Sequence, residues 1–127
     1  MSKLIIIGLG GFTGALMRYG ISGFVQALAK NITFPFGTLA INILGCLLIG
    51  AIAQWVEIQA SFSADARDFI FIGLLGAFTT FSTFSNETFS LIQHGAMLLA
   101  LENVGMHLIF GIGAVWLGRA TIAQIMM

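Results

Sequence analysis

The sequence predicts an all-α membrane protein with four transmembrane helices, and three observations carry that prediction. Of 127 residues only 8% are charged and 58% are apolar, whereas a soluble domain carries about 25% charged residues. The mean hydropathy is +1.02. The few charges divide the chain into four apolar stretches, each close to the roughly 20 residues that cross a bilayer. Other classes are excluded by the same composition. Sixteen glycines without a Gly-X-Y period, one proline and one cysteine rule out collagen and a disulfide scaffold. Five basic and five acidic residues leave a formal net charge of zero, so no excess of cations meets nucleic-acid phosphate. The low polarity excludes disorder.

The first span covers about residues 4–28. Gly10 and Gly14 form a GxxxG seam for close helix packing. Lys3, the apolar run and Ala27-Leu28-Ala29 imitate a signal peptide, but the run is too long and Gly-rich, and Arg18 interrupts it. A connection with Lys30, Asn31 and Pro35 leads to the second span, about residues 36–56, which contains Asn42 and Cys46. The lone Cys46 reads as a small apolar side chain. A polar loop with Glu57, Asp65, Arg67 and Asp68 precedes the third span, about residues 69–93. His94-Gly95 turns the chain into the fourth, about residues 96–117, where Gly111, Gly113 and Gly118 give another smooth face and Arg119 closes the helix. Such short loops predict one four-helix domain over residues 1–127 with sequential helices as antiparallel neighbours. Asn31-Ile32-Thr33 and Asn86-Glu87-Thr88 match the glycosylation pattern by chance, the second at membrane depth.

Orientation is weakly specified. Lys3, Arg67 and Arg119 fall on one side of such a bundle; Lys30, with Arg18 nearer that end of its helix, falls on the other. Near balance predicts insertion in both directions, and so permits antiparallel pairing of two copies.

Several polar residues lie where lipid-facing helices have no use for them. Arg18 costs about 2.5–3.5 kcal/mol at the centre of a span; it either snorkels to the interface or stands as a fixed positive charge at an aqueous vestibule. Asn42 is either interhelical glue or a donor inside the bundle. The run Thr79-Thr80-Phe81-Ser82-Thr83-Phe84-Ser85 consists only of hydroxyl-bearing residues and Phe, and Asn86 and Glu87 follow. Its hydroxyls can bond to carbonyls of the preceding turn, which makes a bend or break tolerable, and backbone freed at membrane depth must meet protein, water or an ion. At helical spacing Phe81 and Phe84 share a face, with Ser82 and Ser85 beside them and Thr80, Thr83 and Glu87 in a further row. Aromatic edges beside hydroxyls suit a conduit wall. In the fourth span Asn103 and His107 share a face. The sequence contains no cluster of His and Cys with transition-metal spacing, and no hydrolase elbow or phosphate loop, so enzymatic activity is disfavoured.

In combination these residues resemble a known family, the small Fluc-type (CrcB-like) fluoride channels of prokaryotes. Gly10-Gly11-Phe12-Thr13-Gly14-Ala15-Leu16-Met17-Arg18, Pro35-Phe36-Gly37-Thr38-Leu39 leading to Asn42 and Gly45, and the Thr79–Ser85 run with Glu87 follow the family's pattern in order. The resemblance implies a passive fluoride-selective channel in the prokaryotic inner membrane. It implies an antiparallel, dual-topology homodimer with two pores and a third helix broken near its middle. By the same analogy Phe81, Phe84, Asn42, Ser82, Thr83, Ser85, Glu87 and His107 belong to the fluoride pore, and Arg18 stands near the vestibule. The carbonyls of Gly76 and Thr79 would hold a structural sodium ion at the dimer centre. Family members usually carry Ser and Thr in the last helix where this chain has Gly111 and Val115, a departure that leaves a heterodimeric partner as an alternative. A proton-coupled exporter working through Glu87, Glu102 or His107, and a non-transporting assembly subunit, are the competing readings.

Overall fold

The structure is a computed structural model that describes residues 2–30, 33–59 and 62–127. Asn31 and Ile32, of the first Asn-x-Thr match, lie outside the described residues. Four long helices are apolar enough to span a membrane: a first span Lys3–Ala29, a second Phe36–Gln59, a third Ala64–Gln93 and a fourth Met97–Ile125. The chain is an integral, multi-pass membrane protein.

Helices run past the charged residues expected to mark their ends. The second continues through Glu57 and the fourth through Arg119 because these two side chains meet: Arg119 Nη1 and Nη2 each donate to the Glu57 carboxylate at 3.0 Å, and Nη1 also reaches Gln54 Oε1 at 3.1 Å. The third begins early, at Ala64, where the Ser63 hydroxyl caps the helix by accepting from Ala66 N–H at 3.2 Å. At the same end of the bundle Lys3 Nζ lies 3.1 Å from Asp68 Oδ2. Two of the three cations on this side are therefore neutralised. Lys30 in the left-handed region (φ 51°) and Gly95 (φ 75°) terminate the first and third spans.

The tightest pairings join helices two apart in sequence: first to third, and second to fourth. Sequential helices also touch, as neighbours in one bundle, though less extensively than these alternate pairs. Glycine decides the arrangement. A Cβ at Gly14 would strike the Leu74 carbonyl, one at Gly10 the Phe69 carbonyl, and one at Gly73 the Ile7 carbonyl. Likewise Gly50 lies against the Val115 carbonyl and Gly118 against that of Leu47. Backbones approach this closely only where side chains are absent, which replaces the missing hydrophobic drive in lipid with dense van der Waals contact. Gly113, read as part of the same smooth face, meets nothing within 4 Å and takes no part in these seams.

The third span changes winding along its length. Asp68–Leu75 is π-helical, a rare geometry that often marks functional segments. One α-turn, Gly76–Phe78, follows, and α-helix resumes at Phe81. Between them Thr79 (φ −88°, ψ 159°) and Thr80 (φ −153°, ψ 114°) are extended. The span is nonetheless not severed: its axis bends by 14°.

Candidate functional site

The extended pair Thr79–Thr80 interrupts the helical hydrogen bonds of the third span, and nearby side chains take up the displaced groups. Thr80 N–H donates to Asn42 Oδ1 at 2.8 Å, while Asn42 Nδ2 donates to Thr80 O at 3.1 Å. The Asn42 amide thus behaves as a peptide group inserted beside the interruption. Thr80 also caps the helix that follows: its Oγ1 accepts from Thr83 N–H at 3.2 Å and donates to Thr83 Oγ1 at 2.9 Å. Thr79 N–H and Thr79 Oγ1 both donate to Leu75 O at 3.1 Å. In a regular helix Thr80 N–H would bond to Gly76 O, and Thr83 N–H to Thr79 O. Both donors are diverted, so the Gly76 and Thr79 carbonyls lose their helical partners.

Around this interruption lies a cavity of about 370 Å³ whose wall includes Asn42, Thr79, Thr80, Phe81, Phe84 and His107. The Phe81 and Phe84 ring centroids are 5.5 Å apart at an interplanar angle of 51°, and His107 sits 4.3 Å from Phe84. The shared face predicted for the two rings is present. Gly76, Gly111 and Cys46 are also on the wall, and Gly111 faces the Cys46 sulfur.

A second, larger cavity of about 880 Å³ opens at the end of the bundle that carries Lys30, lined by Ser22, Gln26, Lys30, Thr38, Glu87 and Ser90 among others. Thr38 Oγ1 donates to Glu87 Oε1 at 2.7 Å, and Glu87 Oε2 is buried without a partner among the described residues. Thr38 precedes Asn42 by one helical turn, and Glu87 follows Phe84 by three residues. The two cavities therefore succeed one another along the same pair of helices, one carrying Lys30 and Glu87 on its wall, the other Phe71, Phe81, Phe84 and His107.

Among the sequence-predicted residues, Phe81, Phe84, Asn42 and His107 come together at the first cavity, and Glu87 stands on the second. Ser82, Thr83 and Ser85 are not on either wall. The Ser85 hydroxyl donates to Phe81 O at 2.9 Å, Ser82 Oγ is 3.4 Å from Thr80 Oγ1, and Thr83 is engaged by Thr80. Arg18 does not line the larger cavity either; it lies one turn before Ser22, which does, and Lys30 is the cation on that wall. Asn103 is fully buried and donates to Thr88 Oγ1 at 2.9 Å, and its carbonyl accepts from His107 Nδ1 at 2.9 Å. Sequence reasoning placed Thr80 in a row with Thr83 and Glu87 but missed Thr38 as a site residue, although Thr38 lies four residues before Asn42 and so shares its face.

Known proteins resemble this chain over nearly its whole length. The family described as CrcB-like protein, Camphor Resistance (CrcB), matches residues 5–119. "Fluoride-specific ion channel FluC 1" of Methanosarcina acetivorans is 44% identical over 119 residues, covering 94% of this chain and 89% of that one. "Fluoride-specific ion channel FluC" of Nitratidesulfovibrio vulgaris is 40% identical over 121 residues, covering 95% and 97%. The protein of that name from Clostridium perfringens is 48% identical over 113 residues, covering 85% and 86%.

Proposed function

The chain belongs to the CrcB-like family, and we propose that it is a passive fluoride-selective ion channel, not an enzyme, that lets fluoride leave the cytoplasm across the prokaryotic inner membrane. The observation that carries this reading is the succession of cavities along the second and third spans, from Lys30, Thr38 and Glu87 to Asn42, Phe81, Phe84 and His107. Fluoride is small and strongly hydrated, so a selective path must offer close donors in place of water. The second N–H of Asn42 is such a donor. The Phe81 and Phe84 ring edges carry partial positive charge, which can face an anion without supplying bulk water. Weak, multiple sites also allow release, as conduction requires.

The working unit is an antiparallel homodimer with two pores. Phe81 is 79% exposed in one chain, an exposure expected where a second copy completes the wall. Lys3, Arg67 and Arg119 at one end against Lys30, with Arg18, toward the other leave little bias toward one orientation. Ser82, Thr83 and Ser85 reach the pathway only in that assembly.

Diversion of the Thr80 and Thr83 N–H groups leaves the Gly76 and Thr79 carbonyl oxygens open, and such oxygens suit a sodium site, being ligands for hard cations. Two oxygens from one chain are too few alone, which agrees with a site shared between copies. When bound, sodium supplies a fixed positive charge at the interface; in this chain Asn42 and Thr80 hold the backbone open for it.

The test is fluoride release from liposomes containing purified protein, followed with a fluoride electrode, with chloride as comparison. Voltage-driven fluoride efflux with negligible chloride efflux is expected. Absence of fluoride efflux, or equal chloride efflux, overturns the reading.

A further inference from the structure

Gln26 ties the first span to the second at the larger cavity, and the ion path described above gives it no role. It stands near the end of the first span, one turn after Ser22, and shares the cavity wall with Lys30, Gly37, Thr38 and Glu87. Both halves of its amide bond to the chain that enters the second span: Nε2 donates to Phe34 O at 3.1 Å, and Oε1 accepts from Gly37 N–H at 3.0 Å. The first turn of a helix has N–H groups without partners inside the helix. Here Phe36 N–H turns back to Phe34 O at 3.0 Å, Gly37 N–H is met by Gln26, and Leu39 N–H opens the helix on Pro35 O at 3.1 Å. Backbone packing tightens the same junction, since a Cβ on Gly37 would strike the Ser22 carbonyl. The next residue, Thr38, is buried, and its Oγ1 donates to Glu87 Oε1 at 2.7 Å. Glu87 Oε2 is buried with no partner among the described residues, so Thr38 is the group that holds this carboxyl. Among the described residues Glu87 makes no ion pair with Lys30, although both line the cavity.

We infer that Gln26 is a positioning residue for the anion path: it fixes the start of the second span so that Thr38 keeps the Glu87 carboxyl docked on that helix and apart from Lys30. The positive end of the second helix dipole lies at Thr38 and favours a carboxylate held there. Lys30 is the cation on this wall, and a fixed positive charge at the mouth of a cleft concentrates anions. A carboxylate released from Thr38 is drawn to the same ammonium and cancels the charge that attracts fluoride. Gln26 meets no ion in this scheme. It acts through Gly37, whose N–H it holds, and through Thr38, the residue that follows.

This inference rests on the channel reading and fails separately from it. Gln26→Leu removes both bonds while keeping an apolar side chain in place; fluoride efflux from liposomes should fall about fivefold with the elution volume in detergent unchanged. Glu87→Gln added to Gln26→Leu removes the released charge and should restore most of the lost flux, which a merely loosened junction would not allow. Thr38→Val cuts the same connection one step later. The double variant Gln26→Leu/Thr38→Val should therefore be no slower than the slower of the two single variants, as expected for residues that act through one contact. Gln26→Met, unbranched and bondless, gives the same comparisons if the leucine variant does not fold. Efflux at the wild-type rate without the Gln26 amide overturns the proposal. So does a slow flux that Glu87→Gln fails to raise, and so do losses that multiply in the double variant. Wild type that carries no fluoride overturns the channel reading itself, and this inference with it.

Discussion

Asn42 and Phe84 show how differently two residues on one wall contribute. The Asn42 amide occupies both the N–H and the C=O of Thr80, so most of its hydrogen-bonding capacity stabilises the interruption and only one N–H remains for an ion. Asn42→Ala leaves a donor and an acceptor orphaned, at about 1–3 kcal/mol each. A marked fall in the thermal midpoint in detergent is expected, together with loss of flux. Asn42→Asp keeps the acceptor for Thr80 N–H but sets a second oxygen against Thr80 O, so it should lower the midpoint as well. Phe84 and Phe81 are different, since neither side chain makes a bond that holds the backbone. Phe81→Ala or Phe84→Ala should cut fluoride efflux by about tenfold or more with the elution volume in detergent unchanged; efflux at the wild-type rate would contradict their place on the path. The helical spacing of Phe81 and Phe84 made their shared face legible in the sequence, whereas the hydroxyls of Ser82, Thr83 and Ser85 lie off both walls and Glu87 lines the other cavity. The engagement of Asn42 by Thr80 was not legible, because it joins residues 38 apart in the chain and depends on tertiary packing.

At the level of elements, the four spans follow from charge placement and apolar length, and the first glycine seam from Gly10 and Gly14. The helix partners do not follow. Each span has glycines, and the sequence does not say which carbonyl each will meet; only geometry separates Gly14, against Leu74, from Gly113, against nothing. Gly14→Leu should therefore abolish assembly, seen as loss of the elution peak in detergent, whereas Gly105→Ala, with open space around it, should leave that peak in place. The π-helical stretch Asp68–Leu75 was equally invisible, because π winding arises from how the span fits against the first helix and not from residue preference. Its end points matter to the site: the extra width closes just before Gly76, and the displaced carbonyls lie in the next turn.

Considered as a whole molecule, the protein distributes charge so that neither end dominates. Lys3 pairs with Asp68 and Arg119 with Glu57, while Lys30 stands at the opposite end. The Arg119–Glu57 pair is open to solvent and screened, so it adds little to stability, and orientation is set by where the cations lie. Adding cations at one end, as in Gln59→Lys with Asp65→Lys, should drive the chain into a single orientation, read by reporter fusions at its termini. Flux should then fall, and return on co-expression with a chain biased the opposite way. Replacing sodium on both sides of the membrane with a large organic cation should also slow efflux and lower the thermal midpoint, if the Gly76 and Thr79 carbonyls hold that ion. Fluoride efflux from liposomes, measured side by side for wild type and Phe84→Ala at matched protein incorporation, tests the central claim most directly. The account predicts rapid fluoride loss through the wild type, little chloride loss, and a collapse of the fluoride signal in the variant. Equal fluoride rates in the two proteins would contradict it.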